Sequence, residues 1–486
     1  MFRAQCRVQW NKKGFLVVRK LKAVLGVLVV GAAIYGYKFA TEIAAVAGGY
    51  VSQTICTNVV MIGRDLAEVE AQDLSYDQNW ISSSTVNGNW VDTLIELGPL
   101  SFTHTSTYRP GLGCSHLGGM QRNDFEAIGL QHLAAKPAVE AIWPAPVSVP
   151  GVDMQQLDAA VTAAFTETVD DVYQRKNTRA VLVHYQGELI AERYGSGFDV
   201  DTPLRGMSMT KSASATLIGI LVAQGKLDIQ SPAPVRGWSE REDGRSTVTT
   251  DHLLKMTAGF DYQEEMESDP RNLLSTMLYA VPDAAGLAAQ TALKGEPGNS
   301  WDYQTVHSVL LQEVIRNVID DDQAYFGFPE QALFGKLGMD NSFFQADATG
   351  TFIGGASMYA SGRDWTKLGL LYLNDGVISY GARQGERILP KGWVEYATTP
   401  SEPSLKKRPY GAQIWLNSEA PQLLFPQAPQ DAYAFQGHFG QYVIVIPSME
   451  LVVVRMGMTF SEGGKSFDKQ VFLQSILQAL PATDSA

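Results

Sequence analysis

The chain has 486 residues, of which 45% are hydrophobic and 18% charged, a composition typical of a folded enzyme and unlike that of a disordered protein. Its net charge is -13, and residues 1–41 contain eight Lys or Arg and no acidic residue, so the remainder is more acidic still. An acidic body argues against a nucleic-acid partner. The length allows a large core and more than one domain.

Residues 1–48 have the pattern of a membrane-targeting segment. Seven Lys or Arg residues precede an apolar run over residues 23–37. A helix of that length rises about 22 Å, less than the roughly 30 Å of a bilayer core, although flanking Lys side chains extend its reach. We expect an inner-membrane anchor with the body on the periplasmic or exterior side, because positive charge precedes the segment. Cleavage after residues 45–47, giving a secreted protein, remains the alternative.

Three cysteines are present, and Cys6 precedes the apolar run. The other two, Cys56 and Cys114, follow it and would face an oxidising compartment. We expect these two to form a disulfide. The alternative is a pair of unbonded, small core residues.

Residues 49–145 form an extension of mixed pattern whose role is not legible, and a proline-rich stretch at 144–150 marks the start of a main domain, residues 146–486. In that domain we expect a helix over 154–175 and a β-hairpin over 180–194, which makes His184 a structural residue. Mostly helical patterns follow. The final β-rich runs and an amphipathic helix are at residues 410–416, 441–446, 451–457 and 467–480. Strands at both ends with helices between them predict an α/β (α+β) domain whose sheet is formed from both ends.

Residues 206–225 predict a buried helix, because small residues lead into an apolar run that ends at glycine. Ser208 and Lys211 lie three residues apart and therefore share one helix face. A buried lysine at a helix start tends to be neutral, and a neutral amine can deprotonate a serine hydroxyl. The free N–H groups of the same helix start would stabilise an oxyanion. We therefore predict a nucleophile beside its base.

Two other Ser-x-x-Lys sequences occur, at Ser404 to Lys407 and at Ser466 to Lys469. Neither opens a long apolar helix, so both are expected at the surface.

Two further stretches would complete the site. Tyr303 immediately precedes an apolar helix, where its phenol could relay a proton, whereas Tyr372 ends an apolar run and is expected in the core. Residues 437–442 open a late strand. There Gly440 would let a substrate approach, the N–H of Gln441 would be a second oxyanion donor, and His438 would bind a polar group.

The histidines are scattered and cysteine is scarce, so no zinc site can be assembled, and no glycine-rich phosphate loop is present. We expect no metal and no cofactor.

Three motifs carry a resemblance to a known family. Ser208-Met-Thr-Lys211, Tyr303-Gln-Thr305 and His438-Phe-Gly440 resemble, in order and spacing, those of the penicillin-recognising serine hydrolases. The resemblance covers about residues 150–480. It is nearest the class C-like branch, which includes class C β-lactamases, DD-peptidases, family VIII esterases and 6-aminohexanoate-oligomer hydrolases. The implied fold is β-lactamase/transpeptidase-like, an antiparallel sheet with an inserted helical subdomain.

The resemblance implies that Ser208 attacks, that Lys211 and Tyr303 move protons, and that N–H groups of Ser208 and Gln441 hold the oxyanion. Two departures bear on the substrate.

Thr305 stands where β-lactamases usually have asparagine, and His438 where they usually have lysine. Both favour a small-molecule amide or ester over a β-lactam, and Tyr262 is implied to face the substrate. A β-lactamase or DD-peptidase, and a slowly acylating membrane-tethered sensor or scaffold, are the alternatives.

Overall fold

The computed structural model describes residues 12–129, 144–264, 269, 271–418, 423–461 and 465–481. The first eleven residues, with Cys6 and part of the basic start, lie outside the described residues, as do residues 130–143 of the extension. Within the described ranges the chain forms three β-sheets surrounded by helices.

The N-terminal helix α1 (Lys12–Ile55) is continuous over 44 residues and runs into a π-helical turn, Cys56–Met61. Its middle, over residues 28–41, is largely exposed, whereas from Ala44 onward it is mostly buried in the body of the protein. The boundary expected after residue 48 therefore falls inside an unbroken helix. The segment that would carry the cleavage site, residues 45–47, belongs to the buried part.

Among the described residues, one helical stretch, Val30–Met61, is long and apolar enough to cross a membrane. Length and composition alone support this, and 72% of its most apolar part is buried within the protein.

The extension forms a small layer on α1. Its elements are α2 (Leu66–Asp73), α3 (Tyr76–Ile81), β1 (Ser82–Asn87), β2 (Trp90–Leu97), β3 (Leu100–Arg109), β4 (Gly113–His116) and α4 (Arg122–Ala127). The strands form an antiparallel sheet in the order β1-β2-β3-β4, and β2 and β3 pack on α1. Cys56 and Cys114 form a disulfide between the end of α1 and β4, with their Cα atoms 5.9 Å apart, as predicted. The extension thus shares one core with α1.

The main domain begins with α5 (Met154–Phe165). After it come β5 (Thr178–Tyr185), β6 (Glu188–Tyr194), β7 (Leu204–Arg205), α6 (Thr210–Ala223), α7 (Thr250–Leu254), α8 (Leu273–Tyr279), α9 (Ala284–Ala288), α10 (Thr305–Ile319), α11 (Asp322–Pro329), α12 (Gly335–Leu337), β8 (Phe343–Phe344), β9 (Met358–Ala360), α13 (Gly362–Leu373), α14 (Trp393–Thr398), α15 (Glu402–Leu405), β10 (Trp415–Leu416), β11 (Tyr433–Gly437), β12 (Gln441–Ile446), β13 (Leu451–Gly457) and α16 (Lys469–Ala479).

The largest sheet takes its strands from both ends of this domain, which confirms the predicted fold class. Its order is β10-β11-β12-β13-β5-β6, and all neighbouring strands are antiparallel. Successive residues of a strand point to opposite faces, so Leu182 and Val452 join the core on the side of α13, whereas Val183 and Val453 join the core beneath α5 and α16. Such central strands are mostly apolar, because helices cover both faces.

Some boundaries differ from those expected. The helix predicted over 154–175 ends at Phe165, and a short 3-10 turn, Val172–Gln174, follows separately. The apolar residues that suggested its continuation do not share a buried face, since Val169 is 40% exposed. Of the run at 410–416, only Trp415–Leu416 is a strand. The hairpin is confirmed, with Gln186 and Gly187 both at positive φ in its turn.

Candidate active site

Ser208 lies in a 3-10 turn, Met207–Met209, that leads directly into α6. The backbone before it is constrained: Met207 has φ of 47°, a left-handed conformation that costs a non-glycine residue on the order of 1 to 3 kcal/mol. A side chain at Gly206 would place its Cβ 2.2 Å from the Trp365 ring, so the turn is packed closely from below. Ser208 is thereby half-buried at the start of an apolar helix, as predicted.

Lys211 is the polar centre of the site. Its ammonium is 3.1 Å from Ser208 Oγ, and it also donates to Thr305 Oγ1 at 2.8 Å and to the carbonyl of Gly355 at 2.9 Å. The residue is 1% exposed, and burial lowers the pKa of its amine to about 8, while nearby Glu264 acts in the opposite direction. A substantial fraction of neutral amine at slightly alkaline pH follows from this environment.

The Gly355 carbonyl reaches Lys211 because two successive glycines let the chain pass between α6 and α10. A Cβ on Gly354 would be 2.4 Å from Gln312, and one on Gly355 would be 2.4 Å from the Thr305 methyl group. This segment was not singled out from the sequence, since its contact with Lys211 depends on packing across 144 residues of chain.

Glu264 is the functional candidate that the sequence analysis missed. Its carboxylate accepts from Thr305 Oγ1 at 2.8 Å and from the Thr305 backbone N–H. The Thr305 hydroxyl has one proton, so it accepts from Lys211 and donates to Glu264, linking base and carboxylate. Burial raises the pKa of Glu264, and Lys211 counters that effect. Glu264 lies in an acid-rich segment, with Asp261 three residues before it. Such segments are usually solvent-exposed loops, so nothing in the sequence indicated that this carboxylate is part of the site.

Tyr303 lies just before α10, with its ring centre 5.2 Å from Lys211 Nζ. Burial raises the pKa of its phenol well above the usual value, and a hydrogen bond with Ser208 acts in the opposite direction. The phenol therefore stays protonated at neutral pH and can donate a proton. The geometry brings together Ser208, Lys211 and Tyr303, as the sequence motifs required.

Aromatic side chains surround Tyr303. Its ring stacks on Trp415 with centroids 4.9 Å apart and meets the edge of Tyr410 at 5.8 Å, while Trp301 contacts both Tyr410 and Trp415. These rings form an apolar cluster around Tyr303, in which Tyr303 and Trp415 are partly exposed. The sequence predicted Tyr303 and the strand containing Trp415 but not their contact, because the two residues lie more than 100 positions apart.

The third motif lies in the turn between β11 and β12. His438 is half-buried, with its ring centre 4.1 Å from that of Phe439. Gly440 has φ of 81°, and a Cβ there would be 2.3 Å from the guanidinium of buried Arg455, which donates to the Gly440 carbonyl at 2.7 Å. The turn and Arg455 thus require the glycine, and the substrate approach at this position stays a prediction.

Gln441 begins β12 and is 2% exposed. Its side chain holds the backbone of Gly457, accepting from the N–H at 3.0 Å and donating to the carbonyl at 2.6 Å. The residue of this hairpin that meets the nucleophile turn is Gly437, where a Cβ would be 2.2 Å from the Gly206 carbonyl oxygen and 3.0 Å from Met207.

Two residues implied to bind substrate are buried. Thr305 is 2% exposed, and its hydroxyl is engaged by Lys211 and Glu264, so the structure places it in the proton network. Tyr262 is 9% exposed, which leaves little of its ring for a substrate to touch.

The competing sequence candidates occupy structural positions. Lys407 donates to the Trp301 carbonyl and to Asp302. Ser404 was expected at the surface but is buried, where its hydroxyl donates to the Ser401 carbonyl. Lys469 donates to a glutamine, Gln436 Oε1, at 2.8 Å.

The phenol of Tyr372 is 3.0 Å from Thr216 Oγ1 in the core, and burial lowers the pKa of His184, at the hairpin, to about 4. Within the described ranges, no group of three or more His, Cys, Asp or Glu side chains is arranged to hold a metal ion.

Comparison with known proteins assigns the family. The sequence matches the Beta-lactamase family over residues 164–472, more than half of the chain. The chain belongs to the beta-lactamase family. It is a family of beta-lactamase-fold hydrolases. The resemblance found in the motifs is confirmed.

A curated relative is the 6-aminohexanoate-dimer hydrolase of Paenarthrobacter ureafaciens, 26% identical over 265 residues. The alignment covers 51% of this chain and 63% of that relative, so the chain spans less than two thirds of its length.

Solved structures share the fold. The hydrolase EstCE1, which has promiscuous acyltransferase activity, has a TM-score of 0.53 at 18% sequence identity. The match covers 68% of this chain and 99% of EstCE1. A family VIII carboxylesterase has a TM-score of 0.50 at 16% identity, covering 69% of this chain and 99% of its own. A candidate 6-aminohexanoate-dimer hydrolase from Bacillus anthracis has a TM-score of 0.52 at 19% sequence identity. The match covers 63% of this chain and 81% of that protein.

Proposed function

We propose that the protein is a serine hydrolase that cleaves an amide or ester through an acyl-enzyme intermediate. The observation that carries this proposal is the 3.1 Å contact between Ser208 Oγ and the amine of Lys211, whose burial lowers its pKa to about 8. A serine hydroxyl needs an adjacent base to become a nucleophile. A buried lysine with a lowered pKa is present partly as the neutral amine, which can act as that base.

In acylation, neutral Lys211 takes the proton of Ser208 as Oγ attacks the substrate carbonyl carbon. The tetrahedral oxyanion is stabilised by the backbone N–H groups of Ser208 and Gln441. Collapse breaks the bond to the leaving group, which takes a proton from the Tyr303 phenol; Lys211 then restores that proton. The acyl group remains on Ser208.

In deacylation, a water molecule attacks the ester of Ser208 and gives its proton to the same base. The second product leaves as a carboxylic acid, and Oγ regains its proton. Both half-reactions use one proton network, in which Thr305 links Lys211 to Glu264.

An uncharged or weakly charged acyl group is the favoured substrate. The partly exposed rings of Tyr303 and Trp415 are apolar, and His438 offers an imidazole where a lysine would offer a permanent cation. A β-lactamase or DD-peptidase activity is the second candidate, supported by the family itself. A slowly acylating sensor is the third, and the intact Ser208, Lys211 and Tyr303 set counts against it.

We place the protein at the inner membrane, with its body in the periplasm or outside the cell. The exposed apolar stretch of α1 and the basic start of the chain support an anchor. Release by cleavage is the alternative, and it would cut α1 where it is buried.

The test is turnover of p-nitrophenyl esters and linear amides by the intact protein, together with fluorophosphonate labelling. Ser208→Ala should abolish both, whereas Ser404→Ala and Ser466→Ala, the matched controls from the other Ser-x-x-Lys sequences, should keep both. Stable labelling without turnover would favour the sensor. Labelling that persists in Ser208→Ala would refute the assignment.

A further inference from the structure

Part of α1 stands clear of the protein and is apolar. Leu28, Val30, Ile34, Tyr35 and Tyr37 are each more than half exposed. Isolated exposed apolar residues are common, but a contiguous helical stretch of them indicates a surface that is covered by something else. Lys38 follows this stretch, where a charged residue would lie at the edge of a bilayer.

The extension sheet runs along α1 in a defined direction. At one end, the ring of Phe102 lies 6.1 Å from that of Tyr37. Further along, Ser106 Oγ lies 2.7 Å from Ser52 Oγ. Strand β3 therefore begins beside the exposed stretch of α1 and runs toward its buried end, so the turn between β2 and β3 lies at the level of Tyr37 or beyond it.

That end of the sheet carries exposed apolar side chains. The turn begins two residues before Phe102, about 7 Å along the strand. It contains the exposed Pro99 and the partly exposed Leu97 and Leu100. Trp80 is 79% exposed and lies two residues before Ser82, the first residue of β1. Because Ser82 pairs with Ile95 near the end of β2, Trp80 lies at this same end of the sheet.

The opposite end of the sheet differs in character. There the turn between β1 and β2 is Asn87-Gly88-Asn89, all exposed and polar. Among the side chains that the structure describes, the acidic Glu96 is also exposed near the apolar end. The two ends of one sheet thus differ as the lipid-facing and water-facing ends of an interfacial domain do.

We propose that Trp80 and the 97–100 turn form a second contact with the lipid bilayer, beside the point where α1 leaves it. Tryptophan prefers the headgroup region, because its ring is apolar and its N–H is polar. The contact would hold the extension flat on the membrane and fix the height of the main domain above it. The proposal rests on insertion of α1 and is independent of the hydrolase assignment.

The experiment uses the full chain in phospholipid vesicles with Cys6→Ser as background, since Cys56 and Cys114 are joined. Single cysteines are introduced by Trp80→Cys and Pro99→Cys, with Asn89→Cys at the polar end as the matched control, and each is labelled with the environment-sensitive fluorophore NBD. The circular dichroism spectrum and melting temperature of each variant report that it is folded.

Labels at 80 and 99 should emit as in an apolar medium and be quenched by lipid-borne quenchers, while the label at 89 is quenched by aqueous iodide. Equal iodide quenching at all three sites, with the protein resistant to carbonate extraction, would overturn the proposal. Extraction by carbonate would also overturn it, since α1 would not be inserted. Protection of 80 and 99 that appears without vesicles and grows with protein concentration would show instead that a second copy covers this end.

Discussion

Replacing Glu264 by glutamine removes the negative charge that faces Lys211, the proposed catalytic base. Lys211 and Glu264 are bridged by the Thr305 hydroxyl through two contacts of 2.8 Å, so their charged atoms are at most about 6 Å apart. At an effective dielectric constant near 20, a pair at that distance interacts by about 3 kcal/mol, which corresponds to about two pH units of a titration. Relaxation and water entry make about one unit the expected effect.

The sign follows from the charge that is lost. Glu264 favours the protonated amine, so Glu264→Gln should lower the pKa of Lys211 below its value of about 8. The acid limb of kcat/KM, which reports formation of the neutral amine, should then move to lower pH, and activity near pH 6 should fall less steeply than in the unmodified enzyme. This behaviour distinguishes an electrostatic role from simple damage to the site, which would lower the whole profile.

The assay is kcat/KM for a p-nitrophenyl ester from pH 5 to 10, with the fraction of enzyme labelled by fluorophosphonate as a check of folding. Asp261→Asn is the matched control: it removes an exposed carboxylate from the same loop, three residues away, and should leave the limb in place. A limb that does not move in Glu264→Gln would refute the coupling, and a limb that moves upward would contradict the sign.

Three further predictions concern packing, the disulfide and specificity. Gly355→Ala puts a methyl group 2.4 Å from Thr305 and should cost about 1 to 3 kcal/mol of stability and most activity, measured by melting and kcat/KM; retention of both would contradict the packing. Replacing Cys56 and Cys114 by alanine should destabilise the protein by roughly 4 kcal/mol, given 58 positions of separation; an unchanged denaturation midpoint would disprove this. In His438→Lys, the added cation should lower the activation free energy of β-lactam acylation by about 1 to 3 kcal/mol. If the unmodified protein turned over nitrocefin faster than p-nitrophenyl butyrate, the β-lactamase interpretation would be restored.

The local part of the site could be predicted from the sequence. Ser208 and Lys211 are three residues apart on one helix, so their contact depends only on helix geometry and on the burial that the apolar run makes plain. The sheet could also be predicted, because the runs at residues 441–446 and 451–457 are rich in β-branched residues, which fits central strands covered on both faces.

The contacts made across the chain could not be predicted in this way. Glu264 meets Thr305 across 41 positions, and its own neighbourhood in the sequence is acidic, which is the usual pattern of a solvated loop. The Gly355 carbonyl and Trp415 reach the site only through tertiary packing. The roles suggested for Gly440 and Gln441 rested on a motif, whereas their surroundings depend on Arg455 and Gly457.

The N-terminal helix shows a different limit. Its apolar residues predict a membrane segment, and the same apolarity suits a buried core helix, so the periodicity alone does not mark where one use ends and the other begins. In the structure, the buried part of this helix begins at Ala44, and from there the helix packs into the core that contains Tyr50 and Ile55.

The most direct test of the central claim is to trap the acyl-enzyme. The intact protein is mixed with excess p-nitrophenyl butyrate, quenched in acid during turnover, digested, and searched by mass spectrometry for a butyrylated peptide. The account predicts one butyryl group on Ser208 and none in Ser208→Ala, which should also show no turnover. Steady turnover with no acylated serine, or a butyryl group on a different residue that persists in Ser208→Ala, would contradict it.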